Sequence, residues 1–311
     1  MPKGQMLSNV VEWNGKQSQN LYHFKWMITD WCNYDCAYCI VKEIMRDKWD
    51  KDESPSSYKL VLTKLEKFDG EFEIELFGGE PTLHPNMEGI LLKLRSMPNC
   101  KNINIITNLS RPISYFEKLN NLKLDNFLIN ASLHMEYYTP EFLEKIYKIK
   151  QMDHIFLGVA VNLSKNKEDW PTIVGIVNQL VAWGITPHLN FLQDMPFWQA
   201  NYDQEFYDVF TELQNTLPIN GHNKYKFGFA DGSVKELMSL DIHRNGYGKF
   251  NGFECETKFY DIDFDGNFSN TCTQKKVKTI LFKKHDLDNK VICPRECCSC
   301  DVMFDTFKKR V

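Results

Sequence analysis

The chain has no run of about 18 apolar residues, the length a helix needs to cross a bilayer, so no membrane span is expected. Its first 20 residues are rich in Asn, Gln, Lys and Gly and lack the apolar core of a secretion signal. A cytoplasmic location, where thiols stay reduced, is therefore expected. Positive charge is not in excess. The 37 Lys and Arg stand against 41 Asp and Glu, a formal net charge of −4. This excludes a general attraction to anionic membranes and argues against a nucleic-acid partner, although a local basic patch stays open. Internal repeats and low-complexity tracts are also missing, which leaves an ordinary globular chain.

What is present fits that class. The 311 residues are 43% hydrophobic and 25% charged, enough for one large domain or a domain with an appendage. Ten cysteines are the exception. In a reducing compartment they read as metal or redox chemistry before structural disulfides. They are also clustered. Cys32, Cys36 and Cys39 lie close together, Cys293, Cys297, Cys298 and Cys300 form a second run, and Cys100 stands alone.

Strand-like and helix-like segments alternate through the first two thirds. Tyr22 to Ile28, Phe72 to Phe77, Asn102 to Ile106, Phe127 to Leu133, Ile155 to Val161 and His188 to Leu192 read as strands. Ser54 and Pro55 look like a helix start, followed by Tyr58, Val61, Leu62, Leu65 and Phe68 on one face. Met87, Ile90, Leu91 and Leu94 mark a second helix. Thr139 and Pro140 open a third, with Phe142, Leu143, Ile146 and Ile149 buried. Ile173, Val177 and Leu180 line a fourth that Gly184 ends, and Phe206, Val209, Phe210, Leu213 and Leu217 mark a fifth. Such alternation predicts an α/β fold of parallel β/α units, wound by right-handed crossovers into an open sheet or a barrel. Chemistry in these folds sits beyond the C-terminal strand ends. Past about residue 220 the helical period is lost, and Phe259 to Phe264 followed by Asp265-Gly266 predicts a hairpin. The expected organisation is an extension over 1–20, a β/α domain over 21–220 and a small cysteine-bearing domain over 221–311.

Cys32-Asn33-Tyr34-Asp35-Cys36-Ala37-Tyr38-Cys39 spells C-x3-C-x2-C. Three soft thiolates can wrap one metal centre, and a cubane cluster held by three keeps one iron open for chemistry. A zinc site completed by a nearby His or Cys is the alternative. With Tyr38 before the last Cys, the motif resembles that of the radical S-adenosylmethionine superfamily. Phe77-Gly78-Gly79-Glu80-Pro81-Thr82-Leu83 resembles its second signature. Glycines permit close backbone approach, and a carboxylate can receive an ammonium.

The resemblance covers about Tyr22 to Leu192 and implies a partial (β/α)6 TIM-like barrel. It implies a 4Fe–4S cluster on Cys32, Cys36 and Cys39 that binds S-adenosylmethionine. The reduced cluster would cleave that cofactor to methionine and a 5′-deoxyadenosyl radical, which abstracts hydrogen from a substrate. Tyr38 would contact the cofactor, and Glu80 with the Gly78 and Gly79 carbonyls would hold its amino group. Asn108, Ser132 and Asn162 end later strands, where ribose or carboxylate contacts are expected; Leu109 stands where the family often has Gly. His134, His188 and Gln193 face the same rim without an assigned role.

The C-terminal cysteines resemble the auxiliary-cluster domains called SPASM and, in shortened form, twitch. Six cysteines between Cys255 and Cys300 favour one auxiliary 4Fe–4S cluster, on Cys255, Cys272, Cys297 and Cys300. Cys293 or Cys298 could replace one of these, and a structural zinc site is the alternative. About 20 residues precede the first strand, too few for a leader-binding domain. This favours a small molecule, or a peptide presented by another protein, as substrate for oxidation, crosslinking or rearrangement. The electron would come from a reductant such as flavodoxin or ferredoxin. A nucleoside or nucleic-acid substrate and a non-catalytic zinc module are the competing functions.

Overall fold

The computed structural model describes residues 10–14, 21–39, 41–42, 58–194, 198–199, 202–216, 224–229, 231–238, 250–273, 276–277, 283, 287, 290–294 and 308–311. The expected helix start at Ser54 and Pro55, and Leu217, lie outside these residues.

The first strand, β1 (Val10–Asn14), belongs to an antiparallel sheet described below. Six strands then run parallel in chain order: β2 (Tyr22–Thr29), β3 (Phe72–Gly78), β4 (Cys100–Thr107), β5 (Phe127–Leu133), β6 (Phe156–Leu163) and β7 (His188–Phe191). Helices α1 (Tyr58–Lys67), α2 (Met87–Arg95), α3 (Ile113–Asn121), α4 (Pro140–Lys150) and α5 (Trp170–Ala182) connect them, and α6 (Gln204–Thr216) follows β7. This is the α/β fold of parallel units expected from the alternation, consistent with the partial barrel that the resemblance implied.

Period-two burial sets the layers. Phe24, Trp26, Phe72, Leu76, Ile105 and Ile129 alternate onto one face and are almost fully buried there. Val61, Leu65, Ile90, Leu94, Phe116, Leu119, Ile146, Ile149, Ile173 and Val177 of the helices belong to the same core. Each such side chain contributes about 1.5–3 kcal/mol on burial. The helix ends follow the expected punctuation at Thr139 with Pro140, and at Gly184, which takes φ +71°.

Helix α3 is one element the sequence pattern does not announce. Its buried set is only Tyr115, Phe116 and Leu119. Pro112 precedes it with extended backbone.

The sheet extends beyond the six parallel strands. The residue 259–270 hairpin forms strands that lie beside β2. Their numbers follow those of the intervening segments: β8 (Gln193–Asp194), β9 (Trp198–Gln199), β10 (Lys224–Phe229), β11 (Val234–Met238), β12 (Phe253–Glu256), β13 (Phe259–Ile262) and β14 (Phe268–Asn270). Strand β13 pairs parallel with β2, Tyr260 opposite Phe24, and antiparallel with β14. Gly266 supplies the positive φ the turn requires. With β15 (Lys290–Ile292) and β16 (Lys308–Arg310), a second sheet runs β11-β10-β1-β16-β12-β15. The N-terminal strand β1 thus lies between β10 and β16, antiparallel to both. No helix among the described residues is long and apolar enough to cross a membrane.

Candidate active site

The C-terminal ends of the parallel strands deliver their loops to one rim. Strand β2 runs into the cysteine loop, β3 into the Gly-Gly-Glu-Pro turn, and β4 into Thr107-Asn108. Cys32, Cys36, Tyr38, Cys39, Gly78, Gly79, Glu80, Asn108, Ser132 and Asn162 line a single cavity of about 270 Å³. Every barrel residue expected to bind the cluster or its cofactor is therefore brought together.

The two glycines admit backbone. A Cβ on Gly78 would run into the Thr29 carbonyl, and one on Gly79 into the Trp31 carbonyl. Gly78 also sits at φ +140°. The close approach lets Gly79 N–H donate to Thr29 O at 2.8 Å and Glu80 N–H to Trp31 O at 2.7 Å. The turn is thereby pinned to the start of the cysteine loop.

Glu80 is 1% exposed. Its Oε1 accepts from Thr82 N–H at 3.0 Å, Thr82 Oγ1 at 2.5 Å and Thr107 Oγ1 at 2.7 Å; its Oε2 accepts from Asn108 N–H at 2.7 Å. Burial pushes the carboxyl above its ordinary range, while these four donors pull it back. The turn after β3 and the end of β4 are thus tied through one side chain. Oε1 takes three donors and Oε2 one.

Asn108 Nδ2 donates to Asn33 Oδ1 at 3.2 Å and lies 3.8 Å from Cys32 Sγ. Next to it, Leu109 keeps the turn that glycine would ease. It takes φ +55° and is 2% exposed. The left-handed backbone costs about 1–2 kcal/mol. The buried Leu side chain and the Lys145 Nζ bond to Leu109 O at 2.9 Å offset it. Asn162 donates Nδ2 to Leu133 O at 3.0 Å and accepts from Asn190 Nδ2 at 2.6 Å.

The sequence reading missed what clamps the cysteine loop from the β5 side. Tyr137 stacks on Tyr34 at 4.0 Å and 7° and accepts from Asp35 N–H at 2.7 Å. Glu136 accepts from Ala37 N–H at 3.1 and 3.3 Å. His134 Nδ1 lies 3.0 Å from Tyr38 OH and 3.5 Å from Cys36 Sγ. Burial holds its imidazole down at about 4. His134 lines the cavity, whereas His188 does not. The Gln193 side chain lies outside the described residues.

The cysteine loop suits a soft metal centre by its donor chemistry. Burial pushes the thiols of Cys32 and Cys36 up, to about 11 and about 12, and neighbouring carboxylates and thiols add to this. They stay protonated at neutral pH unless a cationic centre displaces the protons. Among the described residues no three Cys, His, Asp or Glu side chains already converge at metal-ligand spacing. The fit therefore rests on three thiols sharing one cavity wall.

In the second sheet Cys255 is 1% exposed on β12 and Cys293, just after β15, is 6% exposed. Their side chains are hydrogen-bonded, which together with burial drives the Cys255 thiol far up. Cys272 packs against the same small core. Cys297, Cys298 and Cys300 lie outside the described residues. Cys100 sits at the start of β4 and burial pushes its thiol up to about 12.

A β/α half-barrel whose first parallel strand feeds three cysteines into a cavity shared with a Gly-Gly-Glu-Pro turn is the arrangement that the resemblance to radical S-adenosylmethionine enzymes implied. Residues 26–159 match the model of the Radical SAM superfamily, so the chain carries that domain. Members of that superfamily use a 4Fe–4S cluster and S-adenosylmethionine. The chain is 20% identical to GTP 3′,8-cyclase 1 of Pseudomonas aeruginosa over 216 residues, 63% of this chain and 61% of the relative. It is 24% identical to molybdenum cofactor biosynthesis protein moc-5 of Caenorhabditis elegans over 260 residues, 80% of this chain and 41% of the relative. It thus spans about three fifths and two fifths of these two relatives. The structure of Streptococcus suis SuiB bound to S-adenosylmethionine aligns with TM-score 0.53 and 13% identity, over 82% of this chain and 62% of that one. That likeness shows the shared fold.

Proposed function

We propose that Cys32, Cys36 and Cys39 hold the 4Fe–4S cluster and that S-adenosylmethionine sits between them and the Gly78-Gly79-Glu80 turn. The enzyme then abstracts hydrogen from a small-molecule or peptide substrate, for oxidation, crosslinking or rearrangement. The observation that carries this reading is the convergence of all ten barrel residues on one cavity. When bound, the cluster and its partner supply a one-electron reductive cleavage that yields methionine and a 5′-deoxyadenosyl radical.

This chain's residues provide position. The Gly78 and Gly79 carbonyls and the Glu80 Oε2 would take the methionine ammonium. Glu80 does so without moving, because its Oε1 is anchored by three donors. Ser132 and Asn162 would meet the ribose or carboxylate, Asn108 would steady the Cys32 side of the loop, and Tyr38 would flank the cofactor. Buried walls from Phe191 and Leu192 help exclude water.

The C-terminal segment, 221–311, reads as a twitch-like domain with an auxiliary 4Fe–4S cluster on Cys255, Cys272, Cys297 and Cys300. Cys293 stands beside Cys255 as an alternative ligand. A flavodoxin or ferredoxin in a cytoplasmic setting would supply the electron.

A second reading is a nucleoside-type substrate, which the names of the relatives favour. The two separate in one experiment. Reconstituted enzyme is offered GTP and, in parallel, a library of deuterated peptides and small metabolites, and deuterium in 5′-deoxyadenosine is read. Transfer from a peptide or small metabolite supports the main reading; transfer from labelled GTP alone replaces it with the second. Colourless protein with stoichiometric zinc and no iron would sink both in favour of a binding module.

A further inference from the structure

We propose that His134 is a positioning residue for the N-terminal cluster: its Nδ1–H donates to the Cys36 sulfur when that thiolate is a ligand, and this bond raises the cluster's reduction potential. The inference rests on the cluster assignment proposed above.

Placement comes first. His134 directly follows β5, so a barrel strand fixes its backbone. Its ring lies parallel to that of Tyr38, centroids 5.9 Å apart, and edge-on to that of Tyr34 at 6.1 Å. Both tyrosines belong to the cysteine loop. The next three residues clamp that loop through Tyr137 and Glu136. The imidazole is thus held against Cys36 from two sides.

Chemistry then fixes the direction of the bond. Cys36 Sγ and Tyr38 OH converge on the same ring nitrogen, at 3.5 and 3.0 Å. A ligating thiolate offers only lone pairs. An unprotonated Nδ1 would aim its own lone pair at them and be repelled. The favourable arrangement puts the proton on Nδ1, directed at the sulfur, with the Tyr38 hydroxyl, itself hydrogen-bonded to the Cys36 side chain, beside it. A donor to a ligand sulfur binds the reduced, more negative cluster more strongly than the oxidised one. Removing it makes reduction harder.

The test follows the EPR signal of the reduced cluster that changes on adding S-adenosylmethionine, which separates it from any auxiliary cluster. Its midpoint is measured in the wild type, His134→Phe and His134→Gln. His134→Phe keeps an aromatic ring and loses the donor. Its reduction equilibrium should fall about tenfold, or about 59 mV for a one-electron couple. His134→Gln supplies an amide donor and should recover part of the shift. A His134→Phe protein that keeps its cluster and the wild-type midpoint overturns the proposal while leaving the cluster assignment standing. A wild type with no signal responsive to S-adenosylmethionine overturns the assignment itself.

A second measurement needs no variant. Protein labelled with ¹⁵N-histidine should show a weak ¹⁵N coupling to the reduced cluster by pulsed EPR. A reduced cluster with no such coupling refutes the contact.

Discussion

Replacing Glu80 with Gln changes one oxygen to an amide nitrogen and tests how the strand ends are tied. Oε1 accepts three hydrogen bonds, from Thr82 N–H, Thr82 Oγ1 and Thr107 Oγ1, and Oε2 accepts one from Asn108 N–H. The amide loses least by keeping its oxygen at the Oε1 position. Its NH2 then faces the Asn108 N–H, donor against donor. One hydrogen bond to a charged acceptor disappears, worth about 1.5–3 kcal/mol, and a donor is left buried without a partner, adding about 1–3 kcal/mol. Relaxation recovers part of this, so Glu80→Gln should destabilise the protein by about 3 kcal/mol. Urea unfolding followed by fluorescence is suited to the measurement, since seven tryptophans are available. A loss below about 0.5 kcal/mol would show that the carboxylate does not hold the turn to β4, and the reasoning would fail.

Three further outcomes follow from the same geometry. Gly79→Ala drives a Cβ into the Trp31 carbonyl, so the turn and cysteine loop must part; iron bound after reconstitution should drop several-fold, and wild-type loading would contradict the contact. Tyr137→Phe removes the acceptor of Asp35 N–H; stability should fall by only about 0.5–1.5 kcal/mol, but amide exchange at Asp35 should quicken, and unchanged exchange would deny the clamp. In the triple variant Cys32→Ala, Cys36→Ala and Cys39→Ala, about four irons per chain should remain if the C-terminal cysteines hold a cluster of their own; a count near zero would remove that cluster from the account.

The parallel strands were legible because burial enforces alternation. Phe72-Glu73-Ile74-Glu75-Leu76 places every second side chain in the core, and the same rule produced β2 and β5. The cysteine triplet and the Gly-Gly-Glu-Pro turn were legible because their spacing is local. The second sheet was not. Strand β16 is Lys308-Lys309-Arg310, which carries no apolar pattern; Lys308 is buried at 2% exposure beneath the Phe250 ring. Its pairing with β1 joins the two ends of the chain, and no local window carries that signal. Helix α3 was too short and too sparsely apolar to show its period. His134 was visible as a residue at a strand end, but a lone histidine gives no sign of the sulfur beside it. Only the fold brings positions 36 and 134 together.

The central claim is that Cys32, Cys36 and Cys39 activate S-adenosylmethionine in the cavity they share with Glu80. The direct measurement is 5′-deoxyadenosine formed from S-adenosylmethionine and a strong reductant by anaerobically reconstituted protein, wild type beside the triple cysteine-to-alanine variant. The account predicts brown wild-type protein that forms 5′-deoxyadenosine and a variant that forms none. Cleavage that survives loss of all three cysteines, or iron-loaded wild type that cleaves nothing, would contradict it.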